Sequence, residues 1–302
     1  MSRVHDALRK AETPVAASPP SPGSRSPAAV GVPPMASGEA RRPPLLEGVE
    51  EVEFNPPEEV HLIVAGQSGP LGGAPSEEFR SLRTRMNHLQ SLQPIRTVVV
   101  TSPSPTEGKS FTAANLAIAE AQLADNPTLL ADFDFRRPVL HTYFNVARAP
   151  GLTDYLLERV TLREIMRKVA GLDLYVLTAG EAVINPLELL NLTRCKQLLE
   201  ELSRNFNWVI IDTPPLLSAS DANLLGTLCH GTLLVARIGV TTIQSVTRAV
   251  QTLCENNILG IVANGARRGE LYSKYSSYYS YYYQSRGEGE GEERDPDKET
   301  DR

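Results

Sequence analysis

The chain is short of cysteine, has no excess of positive charge and carries no long apolar run, and each shortage excludes something. Its three cysteines, Cys195, Cys229 and Cys254, lie far apart, each in an apolar stretch of the 302-residue sequence. That spacing excludes a disulfide framework and fits buried, reduced thiols, so a reducing, cytoplasmic location is expected. The net charge is −6 and the pI about 5.5, which leaves no basic field to draw in nucleic acid or an anionic membrane. No stretch approaches the roughly 18 apolar residues that cross a bilayer. The opening Met1–Glu12 (MSRVHDALRKAE) is amphipathic and not continuously apolar, so it does not read as a signal peptide. If the protein works at a membrane, something else holds it there.

What is present divides into zones. Hydrophobic residues make up 41% and charged residues 22%, enough for one sizeable α/β core with polar extensions. Residues 1–12 place Val4, Ala7, Leu8 and Ala11 on one helical face, a helix too short to be stable unless it docks on a partner. Residues 13–58 are dense in Pro, Ser, Ala and Gly and read as a flexible linker. Residues 59–268 alternate apolar runs with amphipathic segments. The runs are Thr97–Thr101, Thr128–Ala131, Leu174–Leu177, Trp208–Ile211, Thr232–Ala236 and Ile258–Val262; the helical segments include Phe111–Leu123, Pro186–Asn205 and Thr242–Asn256. Runs that are apolar on both faces suit a mostly parallel sheet covered by helices, and the alternation predicts a doubly wound α/β domain. Residues 269–302 change abruptly to LYSKYSSYYSYYYQ and an acidic, Gly-rich tail, which predicts disorder.

The stretch richest in chemistry is Thr97–Asn115, TVVVTSPSPTEGKSFTAAN. A β-run ends in a loop carrying Gly108, Lys109 and Ser110, and a helical pattern follows at once: the strand–loop–helix setting of a P-loop. Backbone N–H groups of Glu107 to Ser110 at the helix start would cradle the β-phosphate. Lys109 would reach the β- and γ-oxygens and the Ser110 hydroxyl would ligate Mg²⁺, so ATP and Mg²⁺ are the expected cofactors. Thr106 and Phe111 flank the site on either side. The loop's upstream half is unusual, because Pro103 stands where the motif has Gly, and Pro103 and Pro105 lack N–H groups. Two acidic motifs join it. LLADFDFRRP ends a buried strand at Asp132 and Asp134, and WVIIDTPP ends another at Asp212. Alternation along an extended strand predicts Asp132 and Asp134 on one side, and carboxylates at the carboxyl ends of adjacent parallel strands converge where such sheets bind ligands.

These residues together resemble the bacterial tyrosine kinases of polysaccharide-export systems, relatives of the division and partition ATPases, over about Ser76 to Tyr283. Asp132–Pro138 (DFDFRRP) looks like the family's second Walker motif and Ile211–Pro215 (IDTPP) like its Walker B; Gly180 with Asn185–Leu190 (NPLELL) resembles its G…NPxELL stretch. Glu77, Arg80 and Arg83 match its E-x-x-R-x-x-R oligomerisation helix, which can also be read as a solvated charged face. The resemblance implies phosphate and metal binding by Gly108, Lys109 and Ser110, and Asp132 as the base that takes the tyrosine proton. It implies metal support by Asp134 and Asp212 and adenine reading by Asn264. Lys109, Asp132 and Asp134 are thus the expected catalytic residues. Where the family often has Gly two residues before the P-loop Gly, this chain has Thr106, a side chain that would alter loop dihedrals.

The resemblance also implies a use for Tyr272, Tyr275, Tyr278, Tyr279, Tyr281, Tyr282 and Tyr283: acceptors phosphorylated in trans by a neighbouring subunit of a ring-shaped homo-oligomer. A separate membrane-spanning activator of the chain-length-determinant type is the expected partner, recruiting the chain to the inner face of the plasma membrane, with Met1–Glu12 as an additional docking element. Two other readings stay open at this point. A partition- or division-type ATPase would carry a signature lysine where Ser104 stands. A nucleotide-binding scaffold without turnover would draw support from Pro103 and Thr106.

Overall fold

The computed structural model describes residues 43–63, 74–253 and 258–266. The Met1–Glu12 segment, Cys254, the tyrosine cluster and the acidic tail lie outside the described residues. Eight strands form one sheet: β1 (Glu50–Val52), β2 (Thr97–Thr101), β3 (Thr128–Asp132), β4 (Met166–Val169), β5 (Leu174–Leu177), β6 (Trp208–Asp212), β7 (Gly231–Arg237) and β8 (Ile258–Asn264). Their order is β1-β4-β5-β3-β6-β2-β7-β8, and every neighbouring pair is parallel except β4 with β5. Around the sheet lie α1 (Ala74–Leu92), α2 (Lys109–Ala121), α3 (Leu140–Tyr143), α4 (Leu152–Leu156), α5 (Leu162–Ile165), α6 (Pro186–Asn191), α7 (Thr193–Asn205), α8 (Asp221–Leu228) and α9 (Ile243–Thr252).

The central strands β2, β3, β5 and β6 are buried at every residue, as their unbroken apolar runs require. Alternation then sorts their side chains onto two faces. Leu129, Ala131, Tyr175, Val209 and Ile211 pack with Leu198, Leu199 and Leu202 of α7. Leu130, Val176, Ile210, Val98 and Val100 pack with Ala113, Leu116 and Ala117 of α2 and with Met86 of α1. The Ala-rich face of α2 lets it lie close to the strands, and the expected doubly wound, mostly parallel architecture is the one observed. Among the described residues no helix is long and apolar enough to cross a membrane.

Two local expectations are corrected. The linker expected over residues 13–58 does not reach that far, because residues 43–58 are folded onto the domain. A short 3-10 turn at Pro44–Leu46 buries Leu46, Arg163 donates to the Pro44 carbonyl at 2.8 Å, and Phe54 stacks on Phe144 at 5.6 Å. Strand β1 completes the sheet edge, with Glu50 and Glu51 paired to Arg167 at 3.4 Å and Lys168 at 3.2 Å. Its sequence, EEV, is too short and charged to signal a strand; only the basic face of β4 makes it one. The segment Pro186–Asn205 is two helices, since Leu192 turns out of the helical region at ψ 142°.

Candidate active site

The site is assembled at the carboxyl ends of β2, β3 and β6, three adjacent central strands. After β2 the chain passes through Ser102–Glu107 and enters α2 at Gly108, whose φ of 96° is a left-handed conformation. That conformation calls for glycine, and a Cβ there would also lie 2.0 Å from Asn264 Nδ2 and displace that amide. Thr106 has φ 64°, also left-handed and costly for a β-branched residue. This is the physical content of the glycine expected there.

Lys109 Nζ is held between two carboxylates, 2.8 Å from Asp134 Oδ2 and 3.5 Å from Asp212 Oδ1, and it donates to Ser110 Oγ at 3.0 Å. Burial pulls its pKa down, but Asp212 and Asp134 more than offset this and the net shift is upward. Lys109 is therefore a fixed cation. Asp134 Oδ1 accepts the Arg137 N–H at 2.9 Å, which orients the carboxylate toward Lys109. Asp212 is fully buried, and neither of its oxygens has a well-formed hydrogen-bond partner in the protein. Burial raises its pKa and Lys109 and Ser110 lower it, for a net rise.

Asp132 sits directly opposite Asp212 in the β3–β6 register. It is fully buried, and its oxygens accept backbone N–H groups from Asp134 at 3.2 Å and from Val139 and Leu140 at 3.1 Å each. Burial and the neighbouring Asp212 push its pKa well up. The sequence expectation put Asp132 and Asp134 side by side; instead Asp132 ends the strand, and Asp134 lies beyond it in the turn that Asp132 organises. That turn is anchored again by Arg136, which grips the buried Asp221 with bonds of 2.8 and 3.1 Å. The Arg136–Asp221 pair ties the turn after β3 to the first residue of α8, and no local sequence signal joins two residues so far apart.

The structure thus brings Lys109, Ser110, Asp132, Asp134 and Asp212 together. Two other expected residues have partners of their own within the protein. The Phe111 ring packs edge-on against Phe79 of α1 at 5.9 Å, so only its backbone is free to face a phosphate. The Asn264 amide donates to the Glu107 carbonyl at 2.9 Å and its oxygen accepts from the Gly265 N–H, bracing the loop. On α1, Glu77 and Arg80 are exposed and pair within the helix, while Arg83 donates to the Ala119 carbonyl of α2 at 2.8 Å. Gly180, with φ 91°, lies in a loop held by Asp154, which accepts the N–H groups of Gly151 at 2.9 Å and Glu181 at 3.2 Å.

The donor set fits Mg²⁺. Asp212 presents a buried carboxylate whose charge is met only by Lys109 at 3.5 Å, Ser110 offers a hydroxyl beside it, and Asp134 offers a further carboxylate. Among the described residues no three His, Cys, Asp or Glu side chains form a complete cage. Mg²⁺ suits such a site, since it keeps waters and takes phosphate oxygens to complete its octahedron.

No family model matches the chain. The tyrosine-protein kinase YwqD of Bacillus subtilis is 37% identical over 205 residues, covering 67% of this chain and 84% of YwqD. The chain belongs to the bacterial tyrosine-protein kinase family. The kinase is also 35% identical over 201 residues to the tyrosine-protein kinase Etk of Escherichia coli; the match covers 65% of this chain and 28% of Etk. Among solved structures, the kinase domain of Escherichia coli Etk matches with a TM-score of 0.62 at 34% identity, covering 66% of this chain and 78% of that one. The chimerical protein CapA2B2 matches with a TM-score of 0.63 at 30% identity, covering 72% and 94%. The cell-division ATPase MinD of Pyrococcus furiosus shares the fold, with a TM-score of 0.50 at 21% identity over 58% of this chain and 74% of its own. The protein is a protein-tyrosine kinase, and the reading as a partition-type switch falls away.

Proposed function

We propose that this kinase uses ATP with Mg²⁺ to phosphorylate the tyrosine cluster 272–283 of a second copy of itself. The observation that carries the reading is Lys109, an ammonium fixed between Asp134 and Asp212 at the mouth of a glycine-entered helix. Such a cation is preorganised for the charge that spreads over the γ-phosphoryl oxygens during transfer. Backbone N–H groups of Glu107 to Ser110 take the β-phosphate. Ser110, Asp134 and Asp212 would hold Mg²⁺, which would neutralise charge on the phosphate oxygens. The acceptor tyrosine oxygen forms its bond to the γ-phosphorus as the bond to the ADP oxygen breaks, and the phenolic proton passes to Asp132. The upward-shifted basicity of Asp132 supports that role.

Glu77 and Arg80, exposed on α1, are assigned to contacts between subunits of a ring, with Arg83 setting the helix on α2. Asn264 borders the adenine end from the same position in which it braces the loop. Phosphates on the tail each add about −1.5 to −2 charge, and their repulsion would favour release of the ring. A membrane-spanning partner of the chain-length-determinant type would activate the kinase and hold it at the inner membrane face. Polysaccharide export is the pathway class that the family resemblance implies for it.

The test is mass spectrometry of residues 272–283 after incubation with Mg²⁺ and ATP, with Lys109→Met as the control. Phosphotyrosine in wild type and none in the variant is the expected outcome. An unmodified wild-type tail, with nucleotide binding intact and the activator's cytoplasmic segment present, would sink the proposal.

A further inference from the structure

Glu107 is a buried acid inside the phosphate loop, only 2% exposed, and transfer chemistry gives its side chain no task. Both of its oxygens are nonetheless used. Oε2 accepts the Ser104 N–H at 2.8 Å. That donor matters because Pro103 and Pro105 on either side of Ser104 have none. Oε1 accepts from the Thr241 hydroxyl at 2.6 Å. Thr241 lies in the turn between β7 and α9, 134 residues downstream. Its oxygen also accepts the Arg237 N–H at 2.7 Å. A hydroxyl carries one proton, and with an amide donating into its lone pair that proton is committed to Glu107.

Two further contacts reach the same loop, at Thr106 and Glu107. Arg237 Nη1 donates to the Thr106 carbonyl at 3.4 Å, and Asn264 Nδ2 to the Glu107 carbonyl at 2.9 Å. The loop runs through a strained residue, Thr106 at φ 64°, immediately before the N–H groups that face a phosphate. A segment so strained and so poor in backbone donors keeps one shape only when its surroundings over-determine it.

We propose that Thr241 is a positioning residue for nucleotide binding: its hydroxyl sets the Glu107 carboxylate, which holds residues 104–108 in the phosphate-receiving conformation. The proposal rests on the reading of this loop as the phosphate site. Without the hydroxyl, Glu107 keeps a buried oxygen with no donor, and the loop relaxes so that the carboxylate can reach water.

The experiment measures dissociation of a fluorescent ADP analogue with Mg²⁺ from the full chain, for wild type, Thr241→Val, Thr241→Ser, Glu107→Gln and the double variant Thr241→Val/Glu107→Gln. Thr241→Val should weaken binding about tenfold or more, the scale of one charge-assisted hydrogen bond. Thr241→Ser, which restores the donor and not the methyl, should return it to within about twofold of wild type. In the Glu107→Gln background the valine substitution should cost clearly less than in wild type, because the charge is gone and the amide offers one acceptor oxygen where the carboxylate offers two, one to Ser104 and one to Thr241. Wild-type affinity in Thr241→Val would overturn the proposal, and so would a serine variant as weak as the valine one or an equal cost in both backgrounds. A wild-type chain that binds no nucleotide would instead overturn the phosphate-site reading. Tail phosphorylation is not a readout here, so failure of the acceptor assignment leaves the result intact.

Discussion

Glu120 lies in the last turn of α2, almost fully buried and in contact with Asn87 of α1. Its Oε2 accepts from Asn87 at 3.0 Å and Asn126 at 3.2 Å, its Oε1 has no partner, and Arg83 is the nearest cation. Burial raises its pKa from 4.5 to about 7; Asn87, Asn126 and Arg83 offset only part of this. Because the folded-state value lies above the unfolded one, the folded protein binds the proton more tightly. The resulting stability is fully present below pH 4.5 and is lost as pH rises through about 7. At about 1.4 kcal/mol per pKa unit, the loss amounts to about 3 kcal/mol. Glu120→Gln keeps the shape and the acceptor for both asparagines without the charge. The variant should match wild type at pH 5 and exceed it by about 2 to 3 kcal/mol at pH 8.5, or roughly 5 to 10 °C in melting temperature. The assay is thermal or urea unfolding of both proteins across that range, so that every other titrating group cancels in the difference. A difference that stays constant with pH, or a variant less stable at pH 8.5, would refute the account of this contact.

Asp132→Asn separates a base from a turn former: as a base its loss should cut phosphotransfer about 10²- to 10⁴-fold while nucleotide affinity holds, and parallel loss of affinity and transfer would argue for the turn alone. Thr106→Gly removes a β-branched residue from φ 64°, and the relief of about 1 kcal/mol should raise the melting temperature slightly despite the added unfolded-state freedom. Arg136→Gln strands Asp221, 1% exposed, without its cation and should cost on the order of 3 kcal/mol by urea unfolding, with Asp221→Asn in the same chain restoring part of the loss.

Much of the candidate site was legible because its chemistry is carried by short contiguous motifs. A buried run followed by GKS and an amphipathic helix can hardly be anything but a strand, a phosphate loop and a helix. Thr97–Thr101 and Lys109–Ala121 are found within two residues of where periodicity put them. The orientations of Phe111 and Asn264 were not legible. Each depends on a neighbour from elsewhere in the chain, Phe79 for one and the Glu107 carbonyl for the other. Proline-rich composition likewise hid the folded part of residues 43–58, since what orders it is a basic strand more than a hundred residues away.

By itself the sequence determined the layered α/β architecture, the phosphate loop and the identity of Lys109, Ser110, Asp132, Asp134 and Asp212. Backbone periodicity and residue chemistry are local, and a motif of a few residues states them in full. Only the tertiary structure decided that Asp132 faces Asp212 across two strands, and that Asp132 spends its oxygens on the following turn. It also decided that Arg136 clasps Asp221 and that Thr241 completes Glu107. Those pairings depend on strand order and register, which bring together residues between 80 and 134 positions apart. Their energies exist only once the sheet has closed, so no window of sequence contains them.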